Sequence, residues 1–95
     1  MQVSVTFRHM EASDSLRDYA NDKIKRLEKY LQPPIEVHVI LEVVKFMHRA
    51  EINLSAAGVQ LNAEETTSDM YAAIDKAQDK MERQVQKHKE KIKEH

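Results

Sequence analysis

The chain has 95 residues, of which 41% are hydrophobic and 33% charged, a composition that fits one globular domain with a single core and excludes a two-domain or disordered protein. The lack of cysteine excludes disulfides, thiolate zinc sites and cysteine nucleophiles, and a single glycine excludes a glycine-rich phosphate loop. A formal net charge of -1 hides a segregation: Gln32 to Ser68 is acidic, whereas Arg83 to His95 carries five basic residues against Glu90 and Glu94.

In chain order, Val3, Val5 and Phe7 alternate with Gln2, Ser4, Thr6 and Arg8, the period of a strand with one buried face. Ser13, followed by Asp14, reads as the N-cap of a helix. Its apolar positions Leu16, Ala20, Ile24, Leu27 and Leu31 recur at helical spacing, with Tyr19 and Tyr30 on one flank, and Pro33-Pro34 is expected to end it. Ile35 to Val44 is rich in β-branched residues and reads as a second strand. Its outer side is Glu36, His38, Ile40, Glu42 and Val44, so Ile40 and Val44 are expected on a wet face. Lys45 to His48 contains no glycine, which predicts a turn of several residues rather than a tight two-residue hairpin. Ala50, Ile52, Leu54 and Ala56 alternate as strand three, Gly58 sits where a turn needs positive φ, and Val59, Leu61 and Ala63 alternate as strand four. Thr66, Thr67 and Ser68 are cap candidates for the last helix, with Asp69 favouring its first turn.

Ser68 to Glu94 reads as one amphipathic helix with two stripes. Met70, Ile74, Ala77, Met81, Val85, His88 and Ile92 fall within an arc of roughly 80° that faces a core. Lys76, Lys80, Arg83, Lys87 and Lys91 fill a second arc centred roughly 120° away, with Asp75, Asp79 and Glu82 elsewhere on the wheel. At about 1.5 Å per residue the helix is on the order of 37 Å long, so the part from Arg83 onward is expected to project past the sheet. The expected fold is α+β, in the order β-α-β-β-β-α: a four-stranded mixed sheet with two helices side by side on one face, like a double-stranded-RNA-binding domain.

The residue types do not predict an enzyme. His9, His38, His48, His88 and His95 form no metalloprotease-type pair, and Ser4, Ser13, Ser15, Ser55 and Ser68 read as strand faces and caps. Exposed carboxylates serve solubility and pairing, as Asp79 with Arg83 is placed to do. Neither a cofactor nor a metal is expected. Polyanion binding is what the residues support, because the cations of the last helix step along one line by about 5 to 6 Å, close to the phosphate spacing of a nucleic-acid strand. In the first helix Lys23 and Arg26 lie beside Tyr19 and Tyr30 and are expected to line a groove between the helices, with Lys25 and Lys29 turned further to solvent. Tyr30 either stacks on a base or closes the core. No helix-turn-helix pattern reads DNA, and phosphate contacts on a folded RNA recognised by shape suit the surface better. No apolar run approaches the roughly 20 residues of a membrane span, and the N-terminus lacks the features of a secretory signal, so the expected location is the cytoplasm.

Asp69-Met70-Tyr71-Ala72-Ala73-Ile74-Asp75, Asp79-Lys80 and Arg83-Gln84-Val85-Gln86-Lys87-His88-Lys89 strongly resemble the signature of the ribosome hibernation promoting factors, also called ribosome-associated inhibitor or sigma factor modulation proteins. Leu16-Arg17, Lys23 to Tyr30, and His48 with Ala50-Glu51-Ile52 add to the resemblance, which spans essentially the whole chain. It implies a non-enzymatic silencer of translation that binds the small ribosomal subunit in the cleft used by messenger and transfer RNA, in stationary phase or stress. By the same resemblance the ribosomal-RNA contacts are Lys23, Arg26, Lys80, Arg83, Lys87 and Lys91, with Lys76 and Lys89 matching less firmly. The partners it implies are the small subunit and its rRNA and, for a short member, a separate ribosome modulation factor, with neither a membrane nor a small-molecule substrate. The end at His95 looks like a short member, while Arg83 to Lys93 also resembles the first domain of long members. Two other readings compete: a generic double-stranded RNA-binding module, and a protein-interaction domain acting on a sigma factor through Met70, Met81, Ile40 and Val44.

Overall fold

The protein's structure, a computed structural model, describes residues 1–93, with side chains described through residue 88. Strand β1 (Gln2–Arg8) leads into helix α1 (Asp14–Lys25), strands β2 (Ile35–Val44), β3 (Met47–Ala56) and β4 (Val59–Thr67) follow, and helix α2 (Met70–Lys93) closes the chain. The strands lie in the order β1-β2-β3-β4. β1 runs parallel to β2 through the α1 crossover, and β2, β3 and β4 form an antiparallel meander, as the alternation of residues predicts.

Both helices bury their apolar stripes on one side of the sheet. Leu16, Ala20, Ile24 and Leu27 from the first helical segment meet Val37, Val39 and Leu41 of β2, Ile52 and Leu54 of β3, and Met70, Ile74, Ala77, Met81 and Val85 of α2 in one cluster. Ala20, Ala50, Ala63, Ala73 and Ala77 are all 0% exposed, and such small side chains let helix and sheet backbones approach closely. Val85 is 1% exposed, so α2 stays packed beyond Arg83, where the length argument placed the start of a projecting arm. Ile92, the last member of the core-facing arc, lies outside the residues whose side chains are described, and His95 lies outside the described residues.

Four local expectations are corrected. The first helix ends at Lys25 rather than at Pro33-Pro34; a short 3-10 turn (Glu28–Tyr30) follows, and Leu31 is extended with φ -126 and ψ 150. The tighter turn still delivers Leu27 to the core at 0% exposure while redirecting the chain towards β2, which an uninterrupted helix does not. Secondly, Val44 pairs directly with Met47, so Lys45 and Phe46 form a two-residue turn after all. Lys45 takes the positive φ of 58 that favours glycine, at a cost of about 1 to 2 kcal/mol that two paired ten-residue strands sustain. His48, expected in that turn, is consequently in β3. Thirdly, Ile40 is buried at 9% exposure although it lies on the face away from the helices, because its cross-strand neighbours Thr6 and Glu51 flank it in mid-sheet. Finally, the cap of α2 is Asp69 and not one of the three hydroxyl residues before it: Ala72 N–H donates to Asp69 Oδ2 at 3.0 Å, and the Thr67 hydroxyl bonds the Asp69 backbone. The cap expected of Ser13 is present, with Leu16 N–H donating to Ser13 Oγ at 3.2 Å.

The two remaining turn positions follow from chemistry. Ala57 and Gly58 both have positive φ, 49 and 78, the pair of values that a two-residue turn between β3 and β4 requires. On α1, Asp14 at the N-terminus and Lys23 and Lys25 in the last turn complement the helix dipole.

Candidate nucleic-acid interface

The core-facing stripe of α2 leaves the helix two flanks, and the structure gives them opposite neighbours. One flank faces α1. The Tyr19 hydroxyl donates to Asp75 Oδ1 at 2.6 Å, Lys23 Nζ lies 3.3 Å from the same oxygen, and the rings of Tyr19 and Tyr71 meet edge-on at 4.9 Å. The Asp75 hydrogen bond, together with burial and the carboxylate's charge, raises the Tyr19 pKa above the ordinary phenol value, and Lys23 offsets this only in part. Because Tyr19 meets Tyr71 and Lys23 meets Asp75, the two helices run in the same direction.

The other flank lies along the outer edge of β4. Lys80 Nζ reaches the Glu64 carbonyl at 3.5 Å and Gln84 Nε2 donates to the Asn62 carbonyl at 2.8 Å, so α2 runs antiparallel to β4 and covers carbonyls of an edge strand. Lys76, Asp79, Lys80 and Arg83 line, with Glu65, a hollow of about 330 Å³ on this side. Lys76, Lys80, Arg83 and Lys87 are exposed, and among the described residues none of the four forms an ion pair. The expected Asp79–Arg83 pair is therefore not formed, although Asp79 shares the hollow with the cations and lowers the local positive potential. Lys89 and Lys91 lie outside the residues whose side chains are described.

This arrangement replaces the expected groove between the helices. The row on α2 faces away from α1, and Lys23, the basic residue nearest the helix-helix seam, is half-buried and held by Asp75. Arg26 is exposed at the α1 C-cap, and Lys29 rather than Arg26 lies over the Tyr30 ring, at 5.1 Å. The competing apolar docking surface is also absent among the described residues, since Met70, Met81 and Ile40 are buried and of that set Val44 alone is exposed.

Two features escape a residue-by-residue reading of the sequence. On the open sheet face Arg49 is the hub of a carboxylate cluster: Nε lies 3.1 Å from Glu42, and Nη1 lies 3.5 Å from Glu51 and 3.0 Å from Glu64. Burial pulls the Arg49 pKa down, but the hydrogen bonds to Glu64 and Glu42 outweigh it and the guanidinium is held charged. Cross-strand register is the signal that finds this cluster, because Glu42 faces Arg49 and Glu51 faces Glu64. The second feature is Phe46, 93% exposed at the tip of the β2–β3 turn. His38 shares the open face, between Ser4 Oγ at 3.2 Å and Thr6 Oγ1 at 3.0 Å.

Among the described residues no group of three or more His, Asp or Glu side chains converges to hold a metal ion, and no helix is long and apolar enough to cross a membrane. The family model described as sigma 54 modulation protein / S30EA ribosomal protein matches residues 3–93. The chain is 42% identical over 91 residues to the ribosome hibernation promoting factor of Azotobacter vinelandii, covering 96% of this chain and 85% of that protein. It is 38% identical over 95 residues to that of Escherichia coli K12, covering 100% of both. Among solved structures, the Thermus thermophilus Protein Y N-terminal domain superposes with a TM-score of 0.87 at 35% identity, covering 93% of this chain and 99% of that one. A ribosomal subunit interface protein from Coxiella burnetii superposes with a TM-score of 0.82 at 28% identity, covering 94% and 98%.

Proposed function

The chain belongs to the sigma 54 modulation protein / S30EA ribosomal protein family, and from that membership and the cationic flank of α2 we propose that it is a ribosome hibernation factor acting on the small ribosomal subunit. It binds the subunit's rRNA in the channel used by messenger and transfer RNA, excludes them, and so inhibits translation in stationary phase or stress. Its place of action is the cytoplasm, and its partners are the small subunit and a separate ribosome modulation factor. The chain acts by binding and catalyses no reaction.

The observation that carries this reading is the row Lys76, Lys80, Arg83 and Lys87, exposed on one flank of a helix whose apolar side is already buried, and without ion pairs among the described residues. Such a row meets successive phosphates without reorganising the fold, and each contact releases condensed counterions from the RNA. On the family resemblance Lys89 and Lys91, whose side chains lie outside those described, are further phosphate contacts, and Lys23 and Arg26 add a second, weaker group of contacts from α1. With phosphate contacts on a folded RNA, recognition is of backbone shape rather than of sequence.

The test is cosedimentation of the protein with purified small subunits. Reversing charge at Lys80, Arg83 and Lys87 to glutamate is expected to abolish cosedimentation while circular dichroism and the melting temperature stay near wild type. Retained binding by that folded variant overturns the proposal. Equal affinity of the wild type for generic duplex RNA and for subunits would assign it instead to the double-stranded RNA-binding class.

A further inference from the structure

We propose that Phe46, at the tip of the β2–β3 hairpin, stacks on an unpaired base of the bound RNA and gives the protein a base contact in addition to its phosphate contacts. This contact presupposes the RNA-binding reading above. Phe46 is 93% exposed, and its neighbours Val44 and Met47 are 48% and 43% exposed, so the tip turns its apolar groups outward. A phenyl ring left in water forgoes its burial free energy, and the fold gives none of it back: Phe46 is absent from the core cluster and from the ring contacts of the described residues.

The mount is stiff. β2 and β3 are paired without interruption from Ile35 and Ala56 to Val44 and Met47, and the turn spans only Lys45 and Phe46. A ring with two side-chain torsions on a two-residue turn loses little conformational freedom when a flat ligand covers it. A ligand face of this kind is also all that the tip can serve. A stable protein interface buries on the order of 800 Å² per partner, far beyond a hairpin apex, whereas one aromatic ring matches one base.

Charge decides between a base and an apolar pocket. Lys45, adjacent to Phe46 and exposed, forms no ion pair among the described residues. Glu42, the hairpin carboxylate nearest the turn, is engaged by Arg49 at 3.1 Å and by His9 at 3.1 Å, and its side chain is only 13% exposed. The tip therefore presents an aromatic ring beside an uncompensated cation, the pairing that single-stranded nucleic acid uses for base and phosphate together. Its position makes it a separate point of contact. His48 pairs with Thr67, so the tip lies at the end of the sheet where α2 begins, while Lys87 lies more than four helical turns along α2.

The experiment measures binding of purified small ribosomal subunits to the wild type and to Phe46→Ala, Phe46→Leu and Phe46→Trp. At about 1 to 3 kcal/mol per stacked base, Phe46→Ala is expected to weaken binding about 5- to 150-fold. Phe46→Leu should be as weak as Phe46→Ala, and Phe46→Trp should retain wild-type affinity. The chain has no tryptophan, so Phe46→Trp supplies its single indole, whose emission, excited to the red of the tyrosines, should be quenched on mixing with subunits. Unchanged binding by Phe46→Ala overturns this contact and leaves the phosphate row intact. Wild-type binding by Phe46→Leu assigns the tip to an apolar pocket of a ribosomal protein and equally overturns it. No binding by the wild type would remove the ribosomal reading itself.

Discussion

The salt dependence of binding separates the cations that meet phosphate from those that serve the fold. If Lys76, Lys80, Arg83 and Lys87 each neutralise one phosphate, the slope of log K against log salt is roughly -2.8 on single-stranded and -3.6 on duplex RNA, taking about 0.7 or 0.9 per phosphate. These four contacts alone should then lower affinity about 50- to 150-fold between about 50 and 200 mM salt. Replacing Lys80 and Arg83 with glutamine should flatten the slope by about 1.4 to 1.8. Lys23→Gln should flatten it by less than the roughly 0.7 of one full contact, because Lys23 Nζ sits 3.3 Å from Asp75 and must leave that carboxylate to reach RNA. Conversely, Asp75→Asn keeps an oxygen for the Tyr19 hydroxyl but frees Lys23. With an exposed pair worth about 0.2 to 1 kcal/mol, it should strengthen binding by up to about fivefold. Fluorescence anisotropy with labelled protein, titrated by small subunits over a series of potassium chloride concentrations, reads these slopes directly. An unaltered slope for the Lys80→Gln, Arg83→Gln double variant would refute the assignment of the α2 flank, and equal slopes for Lys23→Gln and Lys80→Gln would refute the distinction drawn between the flanks.

Three further outcomes test the fold that carries the row. Met81→Ala, at a position 0% exposed beneath the basic residues, should cost about 2 to 5 kcal/mol and lower the melting temperature by about 8 °C or more, read by thermal circular dichroism. Gly58→Ala should cost about 1 to 2 kcal/mol from backbone strain alone, since a Cβ at φ +78 meets nothing within 4 Å; a neutral result in urea denaturation would contradict that conformation. Tyr19 titrates later than an ordinary tyrosine, so the stability it lends is present at neutral pH and lost as pH rises through its raised folded-state value. Tyr19→Phe should remove a late-titrating phenolate from an alkaline ultraviolet titration and flatten the alkaline limb of the stability curve.

Much of this was legible in the residues. Alternation in β1, β3 and β4 and the β-branched run of β2 located all four strands, and the Ser13 cap and apolar spacing located both helices, because these signals are local and repeat several times within each element. The failures are cases where a local rule met a stronger non-local one. The missing glycine at Lys45 argued against a tight turn, but strand pairing on both sides imposes positive φ on a lysine. The apolar spacing through Leu31 argued for a longer helix, but the chain has to turn to bring Glu36 and Val37 beside Gln2 and Val3 in β1. Ile40 looked wet from its parity, and the side chains of adjacent strands cover it.

The helical wheel of α2 alone determined that its cations form a row set apart from its apolar stripe, since 3.6 residues per turn fixes the angle between two stripes on the same cylinder. A wheel does not say which neighbour occupies each flank. That was settled by packing: α1 sits against Tyr71 and Asp75, where Asp75 ties down Lys23, and β4 receives Lys80 and Gln84. The basic row consequently lies along a sheet edge open to a large ligand instead of within the seam between two helices, because the contacts that choose a flank join residues tens of positions apart in the chain.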